Sequence, residues 1–200
     1  MLSLDDPMWR ELRHAYGEGS DIVAWLSTLR ESKPLRDDLF DVHPWDSLCH
    51  QWTVYPATFA AVPHIVDIVS RHPANDRSRM ALLSFVGWSA AISQLPGSEF
   101  PESLRRPYEA ALLTAATLIA ESIVFADTDD ADPSANYPHT FRSLLSALAA
   151  CRGAYPLAFI ISQIKEGTKC PHCRQWIQPL KSEMNPLFRA DGGYTPRGQD

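Results

Sequence analysis

Between Trp52 and His72, the residues Phe59, Val62, Val66 and Val69 recur at three- and four-residue steps. That spacing draws an apolar stripe along a helix. A helix this apolar is expected at the centre of whatever fold it joins. Pro56 suits its first turn, where the missing N–H would be unpaired in any case. Pro63 falls inside, where it deletes one backbone bond and presses on the carbonyl of Phe59, so a kink is expected there.

The rest of the chain reads as further helices separated by short breaks. Asp6-Pro7 has the form of a capped helix start, and Met8, Trp9, Leu12 and Tyr16 fit one inner face, ended by Gly17 and Gly19. Ser20 caps a second helix carrying Ile22, Trp25, Leu26 and Leu29, stopped at Lys33-Pro34. Arg36 to Leu48 suits two short helices about Pro44. Arg77 to Leu95 is helical through Met80, Leu83, Val86 and Ala90, with Gly87 placed for close helix contact. Pro96-Gly97-Ser98 breaks that helix. Leu104 to Ala126 has the longest helical period, through Tyr108, Leu112, Ala115, Ile119 and Ile123. Asp127 to Ser134 is an acidic connector without the glycine and distal glutamate of a calcium loop, and reads as a solvated loop. Phe141, Leu144, Leu145, Leu148 and Cys151 stripe the next helix. Leu157 to Lys165 suits either a short helix or a buried strand. No run of alternating strands precedes Lys165.

The predicted fold is therefore all-α, an irregular helical-repeat domain over residues 1–166. A small irregular Cys-containing segment over 167–200 follows, possessing its own character or packed on the same domain. One recurrence supports repetition. Tyr55-Pro56-Ala57-Thr58-Phe59 returns as Tyr137-Pro138-His139-Thr140-Phe141, and more loosely as Tyr155-Pro156-Leu157-Ala158-Phe159. Proline presets a first turn and flanking aromatics can pack on each other. The recurrence marks either a repeat unit or a shared way of starting helices.

Two hundred residues suffice for one domain with a real core. A net charge of -6 argues against a general nucleic-acid binder, which needs a basic face. The N-terminus has no basic segment followed by an apolar run, so no secretory signal is expected. The longest apolar stretch, Ala110 to Ala126, is interrupted by Thr114, Thr117, Glu121 and Ser122, so no membrane span is expected either. Four cysteines make no disulfide scaffold, and the chain reads as cytoplasmic.

Trp45-Asp46-Ser47-Leu48-Cys49-His50-Gln51, then Thr53-Val54-Tyr55-Pro56-Ala57 and Ala60-Ala61-Val62-Pro63-His64, resemble a motif of bacterial HEAT-repeat-like proteins. The resemblance is concentrated in residues 45–72, and Cys170-Pro171-His172-Cys173 resembles a cysteine pair near the C-terminus of such proteins. It implies an α-α superhelix and a protein-binding role, and brings no catalytic residues with it.

Cys170 and Cys173 are the sharpest chemical signal, since a two-residue gap lets both thiolates reach one tetrahedral Zn ion. A full set needs four ligands, and His172, Cys151, Cys49 or His50 are the candidates to complete it. Cys151 lies on an apolar stripe and also reads as a buried small hydrophobe. The same motif resembles that of thiol oxidases, although the strand-then-helix context of that fold is missing. His43, Cys49, His50 and His64 form a second histidine- and cysteine-rich group whose spacing matches no standard site. No nucleophile elbow, phosphate-cradling glycine loop or His-Glu-x-x-His occurs. Trp9, Trp25, Trp45, Trp52 and Trp88 suit a core or groove, and Trp176 suits a contact residue. The first expectation is a non-enzymatic module binding another protein, of which a bacterial antidote to a toxin is one form. The alternatives are a thiol-disulfide or metal-dependent enzyme using Cys170 and Cys173, and a solenoid binding nucleic acid through Arg71, Arg77, Arg79, Arg105 and Arg106.

Overall fold

The computed structural model describes residues 1–33, 35, 44–95, 98, 100–126, 141–163, 168–169 and 176–177. Its helices are α1 (Ser20–Glu31), α2 (Pro44–Leu48), α3 (Pro56–Val69), α4 (Arg77–Ile92), α5 (Glu102–Ser122), α6 (Phe141–Cys151) and α7 (Tyr155–Gln163). Among the described residues three antiparallel strand pairs punctuate them: β1 (Arg13–His14) with β2 (Gly17–Glu18), β3 (Cys49–His50) with β4 (Thr53–Val54), and β5 (Thr168–Lys169) with β6 (Trp176–Ile177). The chain is thus mainly helical, as its periodicity predicts.

Ring contacts and hydrogen bonds give the helices their directions. Phe59, early in α3, meets Tyr108, early in α5, with ring centroids 5.1 Å apart. Trp52, just before α3, meets Trp88, late in α4, at 5.0 Å. Arg79, early in α4, donates to Leu118 O and Glu121 Oε2, late in α5, at 3.1 and 2.8 Å. Helix α4 is therefore antiparallel to both α3 and α5. Helix α6 packs on α4 and α5, and α7 packs back on α6, where Ser146 Oγ donates to Ala158 O at 2.8 Å.

Helix α3 is central, but it carries no single stripe. Every side chain except Pro56 and Asp67 is buried, including Phe59, Val62, Ile65, Val66 and Val69. Ala57, Ala60 and Ala61 are small enough to let neighbours close in on the remaining sides. Each large aliphatic hidden this way contributes about 1.5–3 kcal/mol. Helix α4 is buried nearly all round as well. A β-carbon on its Gly87 would stand 2.2 Å from Ala147 Cα of α6, so glycine alone permits this helix–helix approach. Helix α5 with its terminal 3-10 turn is long and apolar enough to cross a membrane, and its Leu104, Leu112, Ala115 and Ile119 are buried in the core. Leu157 to Gln163 proves to be helix, resolving the helix-or-strand alternative.

The first predicted helix is absent. Asp6 accepts from Met8 N–H at 2.9 Å and opens only a 3-10 turn, Pro7–Arg10, after which the chain turns back as β1–β2. Trp9 and Leu12 are buried as expected, whereas Tyr16, at the hairpin tip, is 61% exposed. Gly19 explains the return: a β-carbon there would meet the Trp9 carbonyl at 2.8 Å. The predicted Pro96-Gly97 break, the acidic connector, the second helix start at 137–140 and most of 167–200 lie outside the described residues.

Candidate interaction surface

The β3–β4 hairpin sits at the N-terminal end of α3 and turns through Gln51 and Trp52, whose φ angles are 48° and 64°. Two left-handed residues make the turn that best matches strand twist, but such turns normally carry Asn or Gly. A β-carbon in this region costs about 1–2 kcal/mol per residue. Burial of the turn's flanks holds it in place. Leu48 and Val54 are inside. The Thr58 hydroxyl accepts from Tyr55 N–H at 3.1 Å and donates to Leu48 O, tying the start of α3 to the end of α2, just before β3. Trp52 also stacks on Phe159 of α7, centroids 5.8 Å apart and rings 22° from parallel, and Trp88 joins the pair. Such aromatic pairs add about 0.5–1.5 kcal/mol beyond burial.

Despite those contacts, Trp52 is 49% exposed. Other exposed apolar side chains occur on α7, the helix that carries Phe159. On α7, Ala158 is buried; at 100° per residue Ile160 points away from it, with Leu157 and Phe159 to either side, and both Leu157 and Ile160 are exposed. Tyr16 extends the surface across to β1–β2. Its hydroxyl lies 3.0 Å from His50 Nδ1, and its ring meets the His50 ring edge-on at 5.3 Å. Ala15 N–H donates to Ser47 O at 2.9 Å, so the two hairpins are stitched together by backbone as well.

The two described thiols are not activated. Desolvation, then the Asp46 carboxylate, push Cys49 up to about 11. Burial pushes Cys151 up to about 12, at the end of α6. Both stay protonated at neutral pH. His64 lies in the core of α3, with Nε2 2.8 Å from Leu2 O and its ring 6.0 Å from that of Trp9. Burial lowers its pKa, which keeps the ring neutral and donating to that carbonyl. His14 Nδ1 accepts from Tyr16 N–H at 3.3 Å, while its Nε2 lies 3.0 Å from Asp21 Oδ1 without hydrogen-bond alignment.

Among the described residues, no three His, Cys, Asp or Glu side chains gather where they could hold a metal ion. Cys49 and His50 fall on β3 rather than on a helix, and Cys49, His50 and His64 are not brought together. Cys170, His172, Cys173 and His43 lie outside the described residues. No protein family, characterised protein or solved structure matches the chain.

The basic group Arg71, Arg77, Arg79, Arg105 and Arg106 does not form the single patch its sequence suggests. Arg79 is buried and bonded to His72 O, Leu118 O and Glu121, so it braces the core. Arg71 pairs with Asp67, and Arg105 pairs with Glu102 while stacking on Phe100. Sequence reasoning placed Trp52 only among core or groove residues. Its half-exposed, left-handed turn had no signal, because Gln-Trp is not a turn-forming pair.

Proposed function

We propose that the chain is a non-enzymatic protein-interaction module built on HEAT-like helical stacking, with its contact face around Trp52. The architecture supports this reading. Helices α3 and α5 form one layer, while α4, antiparallel to both, packs against α6 in the next, as successive helix pairs do in an α-solenoid. The observation that carries the proposal is Trp52 itself: a large aromatic held half-exposed in a costly backbone conformation and braced by Trp88 and Phe159. Residues held in such conformations cluster at ligand-binding and switch sites. A pre-set tryptophan loses little side-chain freedom on docking, which suits it to anchor a contact. A bacterial antidote that caps a toxin is the form of this activity that the acidic charge suits best.

The test is affinity purification from the source cells with wild-type chain and Trp52→Ala, followed by reconstitution of any captured protein as a purified pair. The proposal predicts a partner that binds wild type and loses at least about 30-fold in affinity with Trp52→Ala, the scale of a central aromatic anchor. Equal binding by both would refute it.

A second reading has one observation of its own. The paired strands β5 and β6 bracket Cys170 and Cys173 in sequence, as hairpin strands bracket the ligands of a zinc knuckle. A structural Zn bound through Cys170 and Cys173, with His172 as a third ligand, would fit there. Metal analysis of wild type and Cys170→Ser decides it: about one Zn per chain in wild type alone supports the site, and no Zn in wild type removes it.

A further inference from the structure

At the opposite end of the α3–α4 pair from Trp52, a cavity of about 370 Å³ opens among Arg30, Lys33, Ile68, Arg71, His72, Pro73 and Asp76. We propose that this cavity binds a small organic phosphate, with the phosphate on the cations and the carbon body on Ile68 and Pro73. Three permanent cations converge here, with Asp76 lining the cavity and Asp67 paired to Arg71 beside it, in a chain whose net charge is -6. Helix C-termini attract cations singly. That explains Arg30 in the last turn of α1, and Arg71 and His72 just after α3, taken one by one. It does not explain why two helices deliver them to one concave surface.

The counter-charges leave room for an anion. Asp67, which does not line the cavity, pairs with Arg71. Asp76 is occupied as the cap of α4, accepting from Arg79 N–H at 3.0 Å, and stands 4.0 Å from His72 Nδ1. The side chains of Arg30 and Lys33 make no hydrogen bond or ion pair with a described residue. A phosphate dianion, with several oxygens accepting charge-assisted hydrogen bonds, engages more than one of these cations at once.

The walls are set in advance. Buried Arg79 donates to His72 O at 2.6 Å and fastens the turn after α3 to α5 through Leu118 O and Glu121. Within the turn, His72 N–H donates to Val69 O and Asp76 N–H to Pro73 O, at 3.1 and 3.0 Å. A ligand therefore meets Arg71 and His72 beside a braced turn, and the volume is within the usual range for a small-molecule site. This site does not depend on the Trp52 surface. Helix α3 has 14 residues, so the two lie about 20 Å apart along its axis.

The experiment is calorimetric titration of the full chain at fixed ionic strength with phenyl phosphate, inorganic phosphate and phenol, using Arg30→Gln, Arg71→Gln and, as a remote control, Arg13→Gln. The expected result is saturable one-to-one binding of phenyl phosphate, weaker for inorganic phosphate and absent for phenol. Each pocket variant should weaken binding about tenfold, the value of one charge-assisted bond, and Arg13→Gln should leave it unchanged. No saturable binding of phenyl phosphate overturns the proposal, as does equal weakening by all three variants. Inorganic phosphate binding as tightly as phenyl phosphate removes the organic body from it. Circular dichroism of each variant separates a lost site from a lost fold.

Discussion

Replacing Gly87 by alanine tests the stacking of α4 on α6 at its tightest point. The added β-carbon would lie 2.2 Å from Ala147 Cα, 2.3 Å from Ala147 Cβ and 2.9 Å from Ala147 C. Ordinary carbon contacts are about 3.5–4.0 Å, so the two helices have to separate by roughly 1.5 Å. Two of the three atoms are backbone, which no rotamer change can move aside. Overpacking costs about 1–3 kcal/mol, and a clash with main chain belongs at the upper end. Alanine returns about 1 kcal/mol of helix propensity. The net expectation is a loss of about 2 kcal/mol, or roughly 4–8 °C in Tm for a chain of this size. Urea unfolding followed by circular dichroism, with a thermal scan, measures both. Adding Ala147→Gly should rescue little, because the nearest atom is the α-carbon. Were α4 and α6 not in this register, Gly87→Ala would gain the propensity term alone, so an unchanged or raised Tm refutes the reasoning.

Other perturbations follow from the same structure. Gln51→Gly removes a β-carbon from a residue at φ 48° and should stabilise the fold by about 1 kcal/mol in urea unfolding. Thr58→Val strips the partner from Tyr55 N–H and buried Leu48 O and should cost about 1–3 kcal/mol, measured the same way. His64 has its pKa lowered by burial, so the unfolded chain binds the proton more readily than the folded one. Its contribution is intact above the ordinary histidine value of about 6.5 and is lost as pH falls from there toward the lower folded-state value. Unfolding free energies between pH 8 and about 5 should therefore fall more steeply for wild type than for His64→Gln.

Much of the helical framework was legible because long helices write a strong period. The helices α4 and α5, the stripe of α5, and Gly87 as a point of close contact are found where the pattern put them. The segment from Met8 to Tyr16 misled because four apolar residues at helical spacing also serve a turn and a hairpin. A helix so short is poorly nucleated, and the bare backbone of Gly19 against Trp9 favours the return. Burial of α3 on all sides was hidden because alanines carry little hydrophobic signal, yet they let neighbours approach. The candidate surface was harder to read. Arg79 looks like any surface arginine until α5 supplies Leu118 O and Glu121. Trp52 and Phe159 are more than a hundred residues apart, so their stacking, and the cavity formed by the ends of α1 and α3, depend on tertiary placement alone.

The surface around Trp52 is the heart of the functional reading, and one binding measurement addresses it directly. With a captured partner purified, titration against wild type and Trp52→Ala should show saturable binding reduced at least about 30-fold in the variant, while the variant's circular dichroism spectrum matches wild type. Undiminished affinity in a folded Trp52→Ala chain would contradict the account.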